Sequence, residues 1–94
     1  MLLGKLRIIG HSMEPTIKNN ETVLISSMFY VFKDPQINDI VAIRLREEIF
    51  IKRINKIISN KYLLKGDNKK DSYDGRRFGL INRRDILGKV FITI

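Results

Sequence analysis

The chain contains no cysteine and a single histidine, His11. No disulfide framework, thiol nucleophile or cysteine-built zinc site can be assembled from it. One histidine also excludes a multi-histidine metal centre. Proline appears only as Pro15 and Pro35. Long apolar runs are missing too: no stretch approaches the ~18 consecutive apolar residues that span a bilayer as a helix. The opening segment, Met1 to Gly10, is interrupted by Lys5 and Arg7. It is too short and too polar for a secretory leader. These absences predict a chain without anchor or export signal, either cytoplasmic or peripherally associated with a membrane.

What is present fits one small globular domain over residues 1–94. Apolar residues make up 44% and charged residues 30%, which excludes a disordered chain. Eighteen Lys and Arg against ten Asp and Glu leave a formal net charge of +8. Such a balance favours anionic partners: nucleic acid, anionic lipid headgroups or acidic protein segments.

Most apolar runs are short, rich in Ile and Val, and bounded by turn residues. That is the pattern of strands. It predicts strands at Leu6–Ile9, Thr22–Ser26, Asp39–Leu45, Ile49–Ile58, Tyr62–Lys65 and Lys89–Ile94. Arg46-Glu47-Glu48 and Ser59-Asn60-Lys61 read as hairpin tips. Helical signal is confined to one turn within Ser26–Phe32 and another within Asn82–Leu87, with Asn82 as N-cap. The predicted fold class is mainly β, a single compact barrel-like or folded sheet.

Three segments carry chemical possibilities. Gly10-His11-Ser12-Met13-Glu14-Pro15-Thr16 follows a strand. A glycine before and a proline after Ser12 shape a bend that exposes its hydroxyl. Ser12 can then attack a carbonyl, and its own N–H can help hold the oxyanion. In Phe50-Ile51-Lys52-Arg53-Ile54, strand alternation places Lys52 on one face with Phe50 and Ile54. A lysine desolvated by such neighbours favours its neutral amine, which can take a serine proton. The third segment, Lys65 to Gly79, is polar and glycine-punctuated. In it Asp74 and Arg76 can pair, and Ser72 can orient an amine. The segment fits neither a phosphate loop nor an EF-hand. His11 directly precedes Ser12, so extended backbone sends the two side chains to opposite faces. We read it as a bystander or cleft residue rather than the base.

Taken in order, these segments resemble the signal peptidase I family. The resemblance rests on Ser12-Met13-Glu14-Pro15-Thr16, Asn38-Asp39-Ile40-Val41, Lys52-Arg53-Ile54, Gly66-Asp67-Asn68 and Ser72-Tyr73-Asp74-Gly75-Arg76. It implies a mainly β catalytic domain. It also implies a Ser–Lys dyad of nucleophile Ser12 and general base Lys52, with the Ser12 N–H in the oxyanion hole. By the same resemblance Ser72 orients the lysine. Asp74, Arg76, Asp67 and Asn68 support the site, and Met13 and Pro15 border the substrate cleft. Neither a metal nor an organic cofactor is implied. Gly10 stands where bacterial members often carry a serine that completes the oxyanion hole, and Asn38 stands where a glycine is usual.

The implied activity is removal of N-terminal signal or leader peptides from precursor proteins. Gly10 and the minimal length also resemble the maturation proteases of nickel superoxide dismutase, which trim a soluble precursor. The apolar run Met28-Phe29-Tyr30-Val31-Phe32, beside basic residues, suits peripheral contact with an anionic membrane surface. Nucleic acid is the disfavoured partner, because the aromatic residues are not interleaved with Lys and Arg on one strand face.

Overall fold

Among the described residues, the Ile- and Val-rich runs form six strands in a single antiparallel sheet. The computed structural model describes residues 3–69 and 79–94. The strands are β1 (Gly4–Arg7), β2 (Thr22–Ser26), β3 (Ile40–Leu45), β4 (Glu48–Ile58), β5 (Lys61–Lys65) and β6 (Ile86–Thr93). Their order across the sheet is β1-β2-β6-β3-β4-β5. Each predicted strand is present, with ends shifted by a few residues. The largest shift is in β6, which begins at Ile86. The helical turn expected over Asn82–Leu87 is therefore only a 3-10 turn, Arg83–Asp85. Asn82 occupies its N-cap position without a capping side-chain hydrogen bond. A second 3-10 turn covers Met28–Tyr30.

Turn chemistry sets the hairpins. Arg46 and Glu47 both have positive φ, as do Ser59 and Asn60. Two consecutive left-handed residues make the two-residue turn whose twist matches the strands it joins. The tips are thus tighter than predicted: Glu48 already pairs with Leu45, and Lys61 with Ile58.

Strand alternation divides the core between two faces. Ala42 and Ile51 join Ile8, Met13, Ile17, Val23, Ile25 and Val90 in one cluster. Val41, Ile43 and Ile54 join Tyr62, Leu64, Ile81 and Ile86 in the other. Strand β6 serves both clusters because of a bulge. Ala42 pairs with Gly88 but Ile43 with Ile86, so the extra residue Leu87 turns Ile86 to the opposite face. The bend also brings backbones close. A Cβ on Gly88 would lie 2.7 Å from the carbonyl carbon and oxygen of Ser26, a distance only glycine tolerates.

Candidate active site

The turn that carries Ser12 grows directly out of β1. Ile8 still bonds to the chain just before β2: its N–H donates to Glu21 O at 2.8 Å, and its carbonyl accepts from Asn20 N at 2.7 Å. Gly10 then breaks the strand with φ +113°. Nothing lies within 4 Å of a Cβ built there, so the backbone angle rather than crowding demands glycine. After Ser12 the chain coils inward. Ile17 N donates to Met13 O at 2.9 Å, and Met13 and Ile17 are both buried. Ser12 is left half-buried at the mouth of a cleft.

That cleft, of about 240 Å³, is lined by Leu6 to Gly10, Ser12 and Met13 on one side and Ile49 to Lys52 on the other. Side chains alternate along a strand, so a cavity touching consecutive residues must run along strand edges. β1 ends the sheet, and β5 pairs with β4 only from Arg53 onward. Lys52 is paired opposite Val41 and only 5% exposed. Its position beside Phe50 and Ile54 is the alternation expected from the sequence.

A polar clamp holds the turn behind Ser12. Arg53 grips Asp67 with two charge-assisted bonds, Nε to Oδ1 at 2.8 Å and Nη2 to Oδ2 at 2.7 Å. Its third nitrogen, Nη1, donates to Asn38 O at 2.9 Å. Thr16 Oγ1 donates to Asp67 Oδ2 at 2.6 Å. Arg53 foremost, with help from Thr16, holds the Asp67 carboxyl below its usual range despite partial burial. Asn68 completes the clamp: its N–H donates to Ser12 O at 2.8 Å and its Nδ2 to His11 O at 2.9 Å. The chain thus ties the strand of Lys52 to the turn of Ser12 through Asp67 and Asn68.

Other expected site residues fall elsewhere. Pro15 is exposed and does not line the cleft, whereas Met13 does; the chain turns away from the cleft after Met13. His11 is not a lining residue either. Its Nδ1 lies 2.8 Å from Glu14 Oε2, and that contact lowers the Glu14 carboxyl. Ser72, Asp74 and Arg76 lie outside the described residues. The sequence patterns include Arg53 and Thr16 but assign them no role, and they do not mark Leu6–Ile9 and Ile49–Ile51 as cleft walls. Arg53 and Thr16 adjoin residues that were singled out, but only the fold brings them to Asp67. Among the described residues no three of His, Asp and Glu gather as a metal site.

The second surface feature is the apolar run after β2. Phe32 is fully exposed, and Met28, Phe29 and Val31 are largely exposed. Cations flank it: Arg83 lies over the Tyr30 ring and Lys89 over the Phe29 ring.

Ser12 and the buried Lys52 thus line one cleft of an antiparallel sheet, and sequence comparison gives the class of protein. Residues 3–91 match the Peptidase S24-like family, and the chain belongs to that family. It is also similar to a protein of Synechocystis sp. (strain ATCC 27184 / PCC 6803 / Kazusa) described as "Probable signal peptidase I-2". The two are 25% identical over 130 residues, covering 90% of this chain and 60% of the relative. The chain therefore spans about three fifths of that relative's length.

Proposed function

We propose that this peptidase is a serine endopeptidase in which Ser12 is the nucleophile, Lys52 the general base, and the substrate an N-terminal signal or leader peptide of a precursor protein. The observation that carries this reading is the shared cleft: Ser12 and the buried Lys52 line it together. Burial without full hydration penalises a charged ammonium, so the site suits an amine that works in its neutral form. Strand β1, the edge strand among the described residues, suits a substrate in extended conformation, since backbone groups along it can pair with a peptide strand. The signal peptidase description of the Synechocystis relative supports the substrate class.

The neutral Lys52 amine takes the Ser12 hydroxyl proton as Oγ attacks the scissile carbonyl. The Ser12 N–H holds the oxyanion. The Lys52 ammonium then gives its proton to the leaving amine, which departs and leaves an ester on Ser12. Water, deprotonated by Lys52, hydrolyses the ester and restores both groups. Side chains and water suffice, so EDTA is expected to leave the rate unchanged; loss of activity restored by zinc would overturn the scheme.

The exposed Met28–Phe32 run and its flanking cations support contact with an anionic membrane surface. One screen tests substrate and surface together. Synthetic signal peptides and soluble leader peptides are incubated with the protein, with and without phosphatidylglycerol vesicles. Cleavage by the parent and none by Ser12→Ala is expected. Absence of cleavage with every substrate, or equal cleavage by Ser12→Ala, would contradict the proposal. Faster cleavage on vesicles favours the membrane setting; indifference to them favours a soluble precursor.

A further inference from the structure

We propose that Asn68 is a positioning residue for the oxyanion hole, aiming the Ser12 N–H into the cleft; this rests on the assignment of Ser12 as nucleophile. The inference starts from the planarity of the peptide bond. His11 C=O and Ser12 N–H belong to one peptide unit, and in a trans unit they point in opposite directions. Whatever fixes the carbonyl therefore fixes the donor.

The His11 carbonyl is held twice, by Glu14 N at 3.1 Å and by Asn68 Nδ2 at 2.9 Å. The Glu14 bond comes from within the turn and moves with it. The Asn68 bond comes from across the fold, 57 residues along the chain. It is the one that references the donor to the rest of the site. Asn68 also holds the next peptide unit through its own N–H to Ser12 O. One residue thus grips the carbonyl before and the carbonyl of the nucleophile. Two consecutive peptide planes are fixed on either side of the Ser12 Cα. Among the described residues nothing accepts a hydrogen bond from the Ser12 N–H, although Ser12 is half-buried at the cleft. A half-buried backbone donor at the mouth of a cleft takes its acceptor from water or from a ligand. A developing oxyanion is such an acceptor.

The sequence adds a reason for this device. Gly10 supplies no side-chain hydroxyl, and its φ of +113° would strain a serine placed there. The Ser12 N–H therefore carries more of the oxyanion, and its direction matters more.

The test separates positioning from mere structure. Asn68→Asp keeps the shape but replaces the donating Nδ2 by an oxygen that repels the His11 carbonyl. Asn68→Ala removes the contact without repulsion. Both keep the backbone bond to Ser12. Loss of a single oxyanion donor typically costs ~10²–10³ in kcat. A misaimed donor is expected to cost about 10- to 100-fold in Asn68→Ala and more in Asn68→Asp, with KM within about twofold. The pH profile should keep its midpoint, because the base is untouched.

A peptide aldehyde provides the second readout. Ser12 Oγ adds to its carbonyl and forms a tetrahedral hemiacetal with no leaving group. Its affinity should fall by the same factor as kcat, while the matching peptide alcohol, which forms no adduct, binds as before. Unchanged kcat in both folded variants, or equal weakening of aldehyde and alcohol, would overturn the inference. If Ser12→Ala were itself active, the assignment beneath it would fall instead.

Discussion

At the scale of single residues, the site depends on groups that look ordinary in the sequence. A serine in a turn and a lysine in an Ile-rich strand are unremarkable until a fold places both on one cleft. Alternation around Lys52 was legible, because Phe50 and Ile54 already stood two residues away on either side. The Arg53–Asp67 clamp was not, since its members are 14 residues apart and meet only through hairpin geometry. That clamp makes a prediction about acid. The Asp67 carboxyl sits below its ordinary value of 3.8, chiefly because of Arg53. Its contribution to stability is fully present above that value and lost as pH falls through the lowered one. Asp67→Asn should therefore be less stable than the parent at neutral pH. The gap between their denaturation midpoints should close as pH falls below about 3.8. A gap that stays constant into strong acid would mean the pair contributes nothing.

At the scale of elements, backbone conformation explains two departures from the resemblance. Asn38 stands in place of a glycine, and its φ is +77°. Asparagine is among the few other residues that accept this region, so the turn before β3 keeps its shape. At Gly10 the φ of +113° lies where only glycine is comfortable. Gly10→Ala is expected to lose about 1–3 kcal/mol of stability through strain alone. Gly88→Ala should lose a similar ~1–3 kcal/mol for a different reason, a Cβ forced against the Ser26 backbone. Urea denaturation measures both losses, and a cleavage assay separates the two by position: Gly10→Ala should also slow cleavage, while Gly88→Ala should leave the folded enzyme's rate intact. Parent-like stability in either variant would contradict the corresponding cause. Strand positions were readable because period-two apolar runs end at turn residues. The bulges in β6 and β4 were not, because an extra residue in a strand leaves no mark in hydrophobic alternation.

At the scale of the whole molecule, the sheet order determines where chemistry can happen. β1 ends the sheet, and β4 outruns its partner β5. The edge of β1 and the first residues of β4 therefore border the cleft that holds Ser12 and Lys52. The sequence predicted a mainly β fold and the order of its strands along the chain. It did not predict their order across the sheet, which long-range pairings decide. Nor did it show that the walls of the site would be Leu6–Ile9 and Ile49–Ile51. The charge of +8 and the exposed Phe32 are likewise properties of the whole surface.

The central claim is that a lysine on β4 serves as base for a serine beyond β1. The most direct measurement is kcat/KM of Lys52→Met, beside the parent, on a cleaved leader peptide across a range of pH. Methionine keeps the length and apolar character of the side chain and removes the amine. A loss of at least ~10³-fold with the fold intact is expected, with a parent rate that rises with pH as the ammonium gives up its proton. A folded Lys52→Met enzyme within about tenfold of the parent, a loss smaller than removal of a general base produces, would contradict it.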